Sequence, residues 1–162
     1  MTSSPPLFNS AIELGLRALC LLVETHPKAS DLQRLVLLDY LLVHSSDVDE
    51  GPASIHPATP QRGTEVLVRR AILEPGLALY ARRGLICVTA RNNGFLYTAS
   101  DRSAAFLDTL RAEYVSLLRE RARWIATVFG ELHTNEIQRY VNDELDRWGG
   151  QFAEEVAERG DE

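Results

Sequence analysis

The segment from Leu35 to Val43 is the feature that most restricts the fold of this chain. Its sequence, LVLLDYLLV, contains one charged side chain, Asp39. A helix that is apolar around its whole circumference must be covered on every side by other elements. A carboxylate in such a helix is costly to bury unless a cation accompanies it. The segment therefore predicts a central buried helix in which Asp39 pairs with an arginine such as Arg17, Arg69 or Arg70.

A long loop follows this helix. Residues 47–62 contain three prolines and an acidic run. A loop of this length inside a compact domain is usually functional or anchored to the rest of the protein. We expect His56 to fix the loop by a hydrogen bond. We take Asp47, Asp49 and His56 as candidate contacts for a partner protein.

Capping patterns define the first helices. Ser10 with Glu13 predicts a helix over 11–25, and Ser30 with Gln33 predicts a second over 31–45. After the loop, the pattern predicts two short helices, 64–73 and 75–83, ending at Gly84. We prefer two helices because proline costs about 3 kcal/mol inside a helix and almost nothing at its first position.

A hairpin and further helices complete the predicted fold. The β-prone runs Leu85–Ala90 and Phe95–Ala99 flank an Asn-Gly pair, which is the strongest short signal for a hairpin turn. Apolar residues recur every three or four positions from Asp101 to Gly130, which predicts a helix. We call this stripe the apolar seam, and Arg121 is the one charged residue on it. A last helix begins at Thr134 and keeps an apolar face to Phe152.

The order of these elements predicts the fold class. It is mainly α, with a winged helix-turn-helix-like core and one β-hairpin wing, followed by two C-terminal helices. We expect a flexible lead (1–9), a single domain (10–152) and a frayed acidic tail (153–162). Helices 2 and 3 are separated by about 17 residues, whereas a helix-turn-helix turn has about three or four. This departure suggests a use other than plain reading of DNA.

Charge is unevenly distributed along the chain. The net charge is −6, but residues 62–123 contain 11 arginines against 6 acidic residues. Arginine suits phosphate and carboxylate recognition. Candidate contacts with DNA or an acidic partner are therefore Arg69, Arg70, Arg82, Arg83 and Arg91, and the alternative is a solvated face or a salt-bridged protein interface. We interpret Trp124 and Trp148 as core residues or interface anchors.

The residues do not indicate an enzyme. The sequence contains no nucleophile motif, phosphate-binding loop, dinucleotide fingerprint or zinc-ligand spacing. Asp39, His44 and His56 are conceivable metal ligands. However, Asp39 and His44 are five residues apart, which places them about 140° apart on a helix. We therefore expect no catalytic residue, no metal and no cofactor.

The remaining composition indicates a cytoplasmic protein. Cys20 and Cys87 lie in apolar contexts, where we expect them to fill the core. The longest apolar run is too short to span a bilayer, and the N-terminus lacks the pattern of a signal peptide. We expect neither export nor a membrane span.

Several phrases, in order, resemble one protein family. Over residues 8–152 the chain is similar to the middle component of bacterial ABC-three-component systems, which are related to Lamassu-type antiphage defences. The phrases are FNSAIELGLRALCLL, LDYLLVHSSD, SIHP with Pro60 and Arg62, LVRR, LEPGLALYARRGLI, RWIATVFG and RWGGQF.

The resemblance implies a non-enzymatic adaptor. Its partners would be an SMC-like ABC ATPase and an effector, often a nuclease, that is held in check until foreign DNA is sensed. DNA contact, directly or through the complex, is compatible with this role. Two other functions stay open from the residues alone: a winged-helix DNA-binding transcriptional regulator, and a small hydrolase or metal enzyme using Asp39, His44 and His56.

Overall fold

The computed structural model describes the backbone of residues 10–57 and 62–160 and the side chains of residues 10–57 and 65–147. Three sequence predictions lie outside these ranges: the flexible lead, the packing of Trp148, and the apolar face of the last helix from there to Phe152.

The first helix, α1, spans Ala11–Thr25, as predicted. The Ser10 hydroxyl caps it by accepting a hydrogen bond from the Glu13 amide at 3.2 Å. One face of the helix is fully buried, and this face includes Leu14, Ala18 and Leu22.

The second helix, α2, spans Leu32–Val43 and is the central helix of the fold. Every residue from Arg34 to Val43 is buried, which confirms the prediction from the apolar segment. The cap is Asp31, whose carboxylate accepts from the Arg34 amide at 2.8 Å, and not Ser30. A short 3₁₀ turn, Ser45–Asp47, follows the helix.

The third helix, α3, is one continuous helix, Arg62–Arg82, so the prediction of two helices is wrong. Pro75 lies inside it and faces solvent. Helix α3 crosses α1 closely at Gly76, where an added Cβ would lie 2.4 Å from the Ala11 carbonyl oxygen. Leu73 and Leu77 are buried on either side of the proline. Tertiary packing therefore continues across Pro75 and outweighs its cost.

Three antiparallel strands form a small sheet in the order β1-β3-β2: β1 (Ser30–Asp31), β2 (Ile86–Arg91) and β3 (Gly94–Ala99). The predicted hairpin of β2 and β3 is confirmed, but Asn92 and Asn93 are the two turn residues, and positive φ falls on Gly94, at 123°. Strand β1 has two residues, too few to give a pattern in the sequence.

Strand β2 is an edge strand, and its residues after Ile86 are exposed. Cys20 is buried as predicted, whereas Cys87 is exposed on this strand. The apolar neighbours of Cys87 in the sequence suggested the core, but both faces of this edge strand are uncovered after Ile86, so Val88 is exposed as well.

Three helices follow the hairpin, rather than two: α4 (Ser103–Thr109), α5 (Glu113–Phe129) and α6 (Thr134–Gly160). The single helix predicted from Asp101 is divided because Leu110 and Ala112 have extended backbones, with ψ of 112° and 137°. Helix α4 contacts α1, and the Ser103 hydroxyl at its start donates to the carbonyl of Leu85, directly before β2, at 2.5 Å.

The C-terminal end of α5 is held by Arg34 of α2. Its guanidinium donates to the carbonyl oxygens of Leu132 at 2.7 Å and Gly130 at 3.1 Å. A cation at the C-terminal end of a helix satisfies free carbonyls and opposes the helix dipole. This contact joins the C-terminal helices to the central helix.

The chain order α1-β1-α2-α3-β2-β3 is compatible with a winged-helix-like fold, and the predicted fold class is confirmed. The hydrophobic core lies around α2, between α1, α3 and α5. None of the helices in the described ranges combines the length and apolar character needed to cross a membrane. That the segment after Phe152 frays stays a prediction.

Candidate functional site

A buried cluster of charged side chains lies at the centre of the molecule, where α1, α2 and α3 meet. The Arg17 guanidinium donates to both oxygens of Asp39, at 2.7 and 2.8 Å, and Arg69 Nε donates to Asp39 Oδ2 at 2.6 Å. Asp39 is 0% exposed. The predicted ion pair is therefore present with two of the three proposed arginines, while Arg70 instead donates to the Gln33 side chain.

The cluster continues to the first turns of α3. Arg69 Nη1 donates to Glu65 Oε1 at 2.7 Å, and His44 Nε2 lies 2.8 Å from the same oxygen. The guanidinium carbon of Arg69 also lies 5.6 Å from the centre of the Tyr40 ring, a cation–π distance. Helices α2 and α3 are thus joined by polar contacts as well as apolar packing.

The charges hold the acidic groups in their ionised form. Burial alone would raise the pKa of Asp39, but the charges of Arg17 and Arg69 and their hydrogen bonds lower it overall. Burial likewise opposes ionisation of Glu65, while the hydrogen bond from His44 and the charge of Arg69 lower its pKa far below its ordinary value. Both carboxylates serve as fixed anions for the arginines.

A second branch of the cluster reaches α5 and the long loop. The Tyr114 hydroxyl donates to Glu13 at 2.5 Å, and His56 Nε2 lies 3.0 Å from the same hydroxyl. Glu13 lies 3.8 Å from Arg17. Burial lowers the pKa of His56 to about 4, and the charges of Arg17 and Arg69 act in the same direction. The predicted hydrogen bond of His56 is present.

The loop between α2 and α3 is anchored at several further points. The amides of Ile55 and His56 both donate to the Val43 carbonyl at 3.0 Å. Arg121, the exception on the apolar seam, donates to the Ala53 carbonyl at 2.9 Å. Glu50 adopts a φ of 59°, a conformation that costs a non-glycine residue about 1 kcal/mol or more. These hydrogen bonds therefore hold residues 48–57 in one conformation.

The residues weighed as metal ligands do not converge on one point. Asp39 pairs with arginines, His44 with Glu65, and His56 with Tyr114. The rings of His44 and His56 lie 6.5 Å apart, edge to face. Across residues 10–57 and 65–147, no group of three or more His, Cys, Asp or Glu side chains is arranged to hold a metal ion.

The arginines proposed to contact DNA divide into two groups. Arg69 is 2% exposed and pairs with Asp39 and Glu65. It belongs to the core, so the prediction that it contacts DNA or a partner at the surface is wrong. The sequence placed Arg69 both among the possible partners of Asp39 and among the surface contacts; only the first is confirmed. Adjacent residues on a helix point about 100° apart, so Arg69 and Arg70 cannot belong to the same face. The others are exposed: Arg70, Arg82, Arg83 and Arg91.

The proposed partner contacts occupy different surroundings. The Tyr40 hydroxyl lies 3.5 Å from the carboxylate of Asp47, and Asp49 lies 3.7 Å from Arg147 of α6. Trp124 is half-buried and packs edge to face on Phe129, with 6.4 Å between ring centres. These acidic side chains lie at the start of the anchored loop, whereas Trp124 belongs to the seam of α5.

The outward face of α3 was not singled out in the sequence. Leu67 is 74% exposed and Val68 52% exposed, and Ala71, Pro75 and Ala78 continue the exposed face towards the wing. In a winged-helix DNA reader this helix enters the major groove and carries groups that hydrogen-bond to bases. Here most of these positions are apolar. The sequence shows apolar residues all along this helix, and only the packing of α3 against α1 and α2 determines which of them face outward.

Comparison with known proteins identifies the family. Searches of curated proteins and of solved structures gave no match. A family model described as ABC-three component (ABC-3C) system Middle Component 2 matches residues 7–151, which is nearly the whole chain. It covers the charged cluster, the anchored loop and the wing together. The chain therefore belongs to the Middle Component 2 family of ABC-three-component systems.

Proposed function

We propose that this chain is a non-enzymatic adaptor in an antiphage defence complex of the cytoplasm. In this proposal it links an SMC-like ABC ATPase to an effector, such as a nuclease, and restrains the effector until foreign DNA is sensed. The observation that carries the proposal is the family match over residues 7–151. A middle component acts together with the other components of its system.

The use of the titratable side chains supports a structural role for the central cluster. Asp39, His44 and His56 each contact a neighbouring side chain at 3.0 Å or less. The ion pairs join three helices, and the hydrogen bonds of His56 hold the loop. This arrangement fixes the shape of the surface that a partner would meet.

The surface of α3 supports contact with protein. Exposed aliphatic side chains on a helix lose contact with water when they pack on another protein. Leu67 and Val68 are the most exposed of them on α3. We propose that this face, together with Asp47 and Asp49 at the start of the loop, contributes to partner binding.

The direct test is co-expression with each of the two neighbouring components, followed by affinity purification and size exclusion. We expect this chain to elute with the ATPase component, and Leu67→Asp/Val68→Asp to weaken that association. A control matched in charge is Arg111→Ala/Arg139→Ala, which lowers the net charge by the same two units at exposed sites elsewhere on the protein. Elution of the wild-type chain apart from both components would contradict the proposal.

A second candidate function is that of a winged-helix DNA-binding regulator. The exposed arginines at the end of α3 and on the wing, Arg82, Arg83 and Arg91, favour it. Phosphate contacts release counterions, so binding to duplex DNA should weaken steeply with salt, and Arg82→Ala should reduce that slope. No mobility shift at low salt would exclude this function for the isolated chain.

A further inference from the structure

An open groove lies between the start of α1, the end of α3 and α4. Its volume is about 450 Å³. Tyr80 and Leu85 form a buried floor, and Leu79 and Phe106 are half-buried beside them. Ile12, 63% exposed, lies at the edge contributed by α1. The groove therefore presents aliphatic and aromatic side chains to a partner.

Two arginines line the same groove. Arg102 Nη2 lies 3.5 Å from the Arg83 carbonyl oxygen, which brings the two residues together at the end of α3. Arg102 also lies over Gly84, where an added Cβ would be 3.4 Å from Nη1. Over the described side chains, neither guanidinium has a carboxylate within salt-bridge distance. This contrasts with Arg17 and Arg69, which are paired.

We propose that this groove binds an amphipathic helix of a partner subunit. The helix would place aliphatic side chains at i, i+3/i+4 and i+7 in the groove and one or two carboxylates against Arg83 and Arg102. This inference rests on the proposed adaptor function and names the chemistry of one docking segment. It concerns a surface separate from the exposed Leu67 and Val68 and from the acidic loop.

Charge and shape together select this occupant. An apolar groove with a helix laid along it is a common mode of peptide recognition. Carboxylates match the two adjacent guanidinium groups in charge and in geometry. DNA would also match the arginines, but it would leave Ile12, Leu79 and Phe106 against a phosphate backbone. A small molecule would require a more enclosed site than this open groove.

The first experiment measures affinity with purified subunits. Isothermal titration of the wild-type chain against the purified ATPase component, and separately against the purified effector component, gives the reference Kd. We expect Arg83→Glu/Arg102→Glu to weaken binding to one of them by more than about tenfold, because like charges would then face each other. Ile12→Gln, at an exposed position, should weaken the same complex.

The matched control is Arg111→Glu/Arg139→Glu. Both residues are exposed, neither lines the groove, and the change in net charge is the same. We expect this control to bind like the wild type. All variants should show the same circular dichroism and the same unfolding midpoint within a few degrees, so that a loss of binding reports on the groove.

A photo-crosslinker identifies the occupant. With p-benzoylphenylalanine in place of Ile12, we expect a crosslink in the complex to a partner segment that is helical in pattern and contains Asp or Glu. Replacing those acidic residues by Lys should restore binding to Arg83→Glu/Arg102→Glu. A crosslink to residues 1–9 of the same chain, to a second copy of this chain, or to no protein would overturn the proposal.

Different results would contradict the groove proposal and the adaptor function. If the wild-type chain binds its components and Arg83→Glu/Arg102→Glu binds them equally well, the groove proposal is wrong and the adaptor function stands. If the wild-type chain binds neither component, the adaptor function is wrong and the groove proposal falls with it.

Discussion

At the scale of residues, Asp39 determines how the centre of this molecule is built. It is the one acidic side chain in the buried segment of α2, and it accepts hydrogen bonds from two arginines that come from different helices. The sequence was sufficient to predict an arginine partner because an unpaired buried carboxylate is very unfavourable. It was not sufficient to select among Arg17, Arg69 and Arg70, since that choice depends on how α1 and α3 are placed and rotated against α2.

Removing the central carboxylate should be strongly destabilising. Asp39→Ala leaves Arg17 and Arg69 without their buried anion, and we expect the free energy of unfolding to fall by about 3–5 kcal/mol. Asp108→Ala is the control, because Asp108 pairs with Arg119 at the surface and should contribute less than about 1 kcal/mol. Urea denaturation measures both. A similar, small loss in the two variants would contradict the role given to Asp39.

His56 should make stability depend on pH. Its pKa is about 4 in the folded protein against 6.5 for the free side chain. Between these values the unfolded chain takes up a proton that the folded protein does not, so the free energy of unfolding falls as the pH falls from 6.5 to 4. The effect is at most about 3 kcal/mol. His56→Gln should flatten this part of the curve, and His133→Gln, at an exposed position, should not.

At the scale of elements, local signals located most boundaries but could not account for tertiary packing. Ser10 and the Asn-Gly hairpin signal are local, so α1 and the β2–β3 hairpin were predictable. The continuity of α3 across Pro75 depends on its crossing with α1, and the two-residue strand β1 depends on pairing with β3. The break between α4 and α5 falls at Leu110 and Ala112, where neither glycine nor proline marks it in the sequence.

The crossing of α1 and α3 can be tested at Gly76. Glycine to alanine inside an exposed helix normally stabilises by about 0.5–1 kcal/mol. At Gly76 the new methyl group would meet the Ala11 carbonyl oxygen, so we expect Gly76→Ala to destabilise by about 1–3 kcal/mol. Ala78→Gly, on the exposed face of the same helix, should lower the free energy of unfolding only by the difference in helix propensity, about 1 kcal/mol. A stabilised Gly76→Ala variant would mean that the helices are farther apart.

The loop anchor can be tested at Arg121. Arg121→Met keeps an apolar stem on α5 but removes the hydrogen bond to the Ala53 carbonyl. We expect faster amide hydrogen exchange in residues 48–57 and a loss of about 1 kcal/mol in global stability. Arg119→Met, on the same helix, removes an ion pair with the exposed Asp108 and should leave exchange in the loop unchanged. Equal exchange in both variants would show that Arg121 does not hold the loop.

At the scale of the whole molecule, the surfaces offered to partners were only partly predictable. The sequence identified the exposed arginines of α3 and the wing, but it left Arg69 both in that group and among the possible partners of Asp39, where the structure places it. The apolar outward face of α3 and the groove beside Arg83 and Arg102 require the relative placement of several elements. Sequence similarity supplied the family, which no single motif in the chain would have indicated.

The adaptor function is tested most directly by leaving this subunit out. The ATPase and effector components should be co-expressed with and without this chain, and the molar mass of each species measured by size exclusion with light scattering. We expect a complex of all three components when this chain is present, and separate ATPase and effector peaks when it is absent. An ATPase–effector complex of unchanged stability without this chain, or a chain that elutes apart from both components, would contradict the adaptor function.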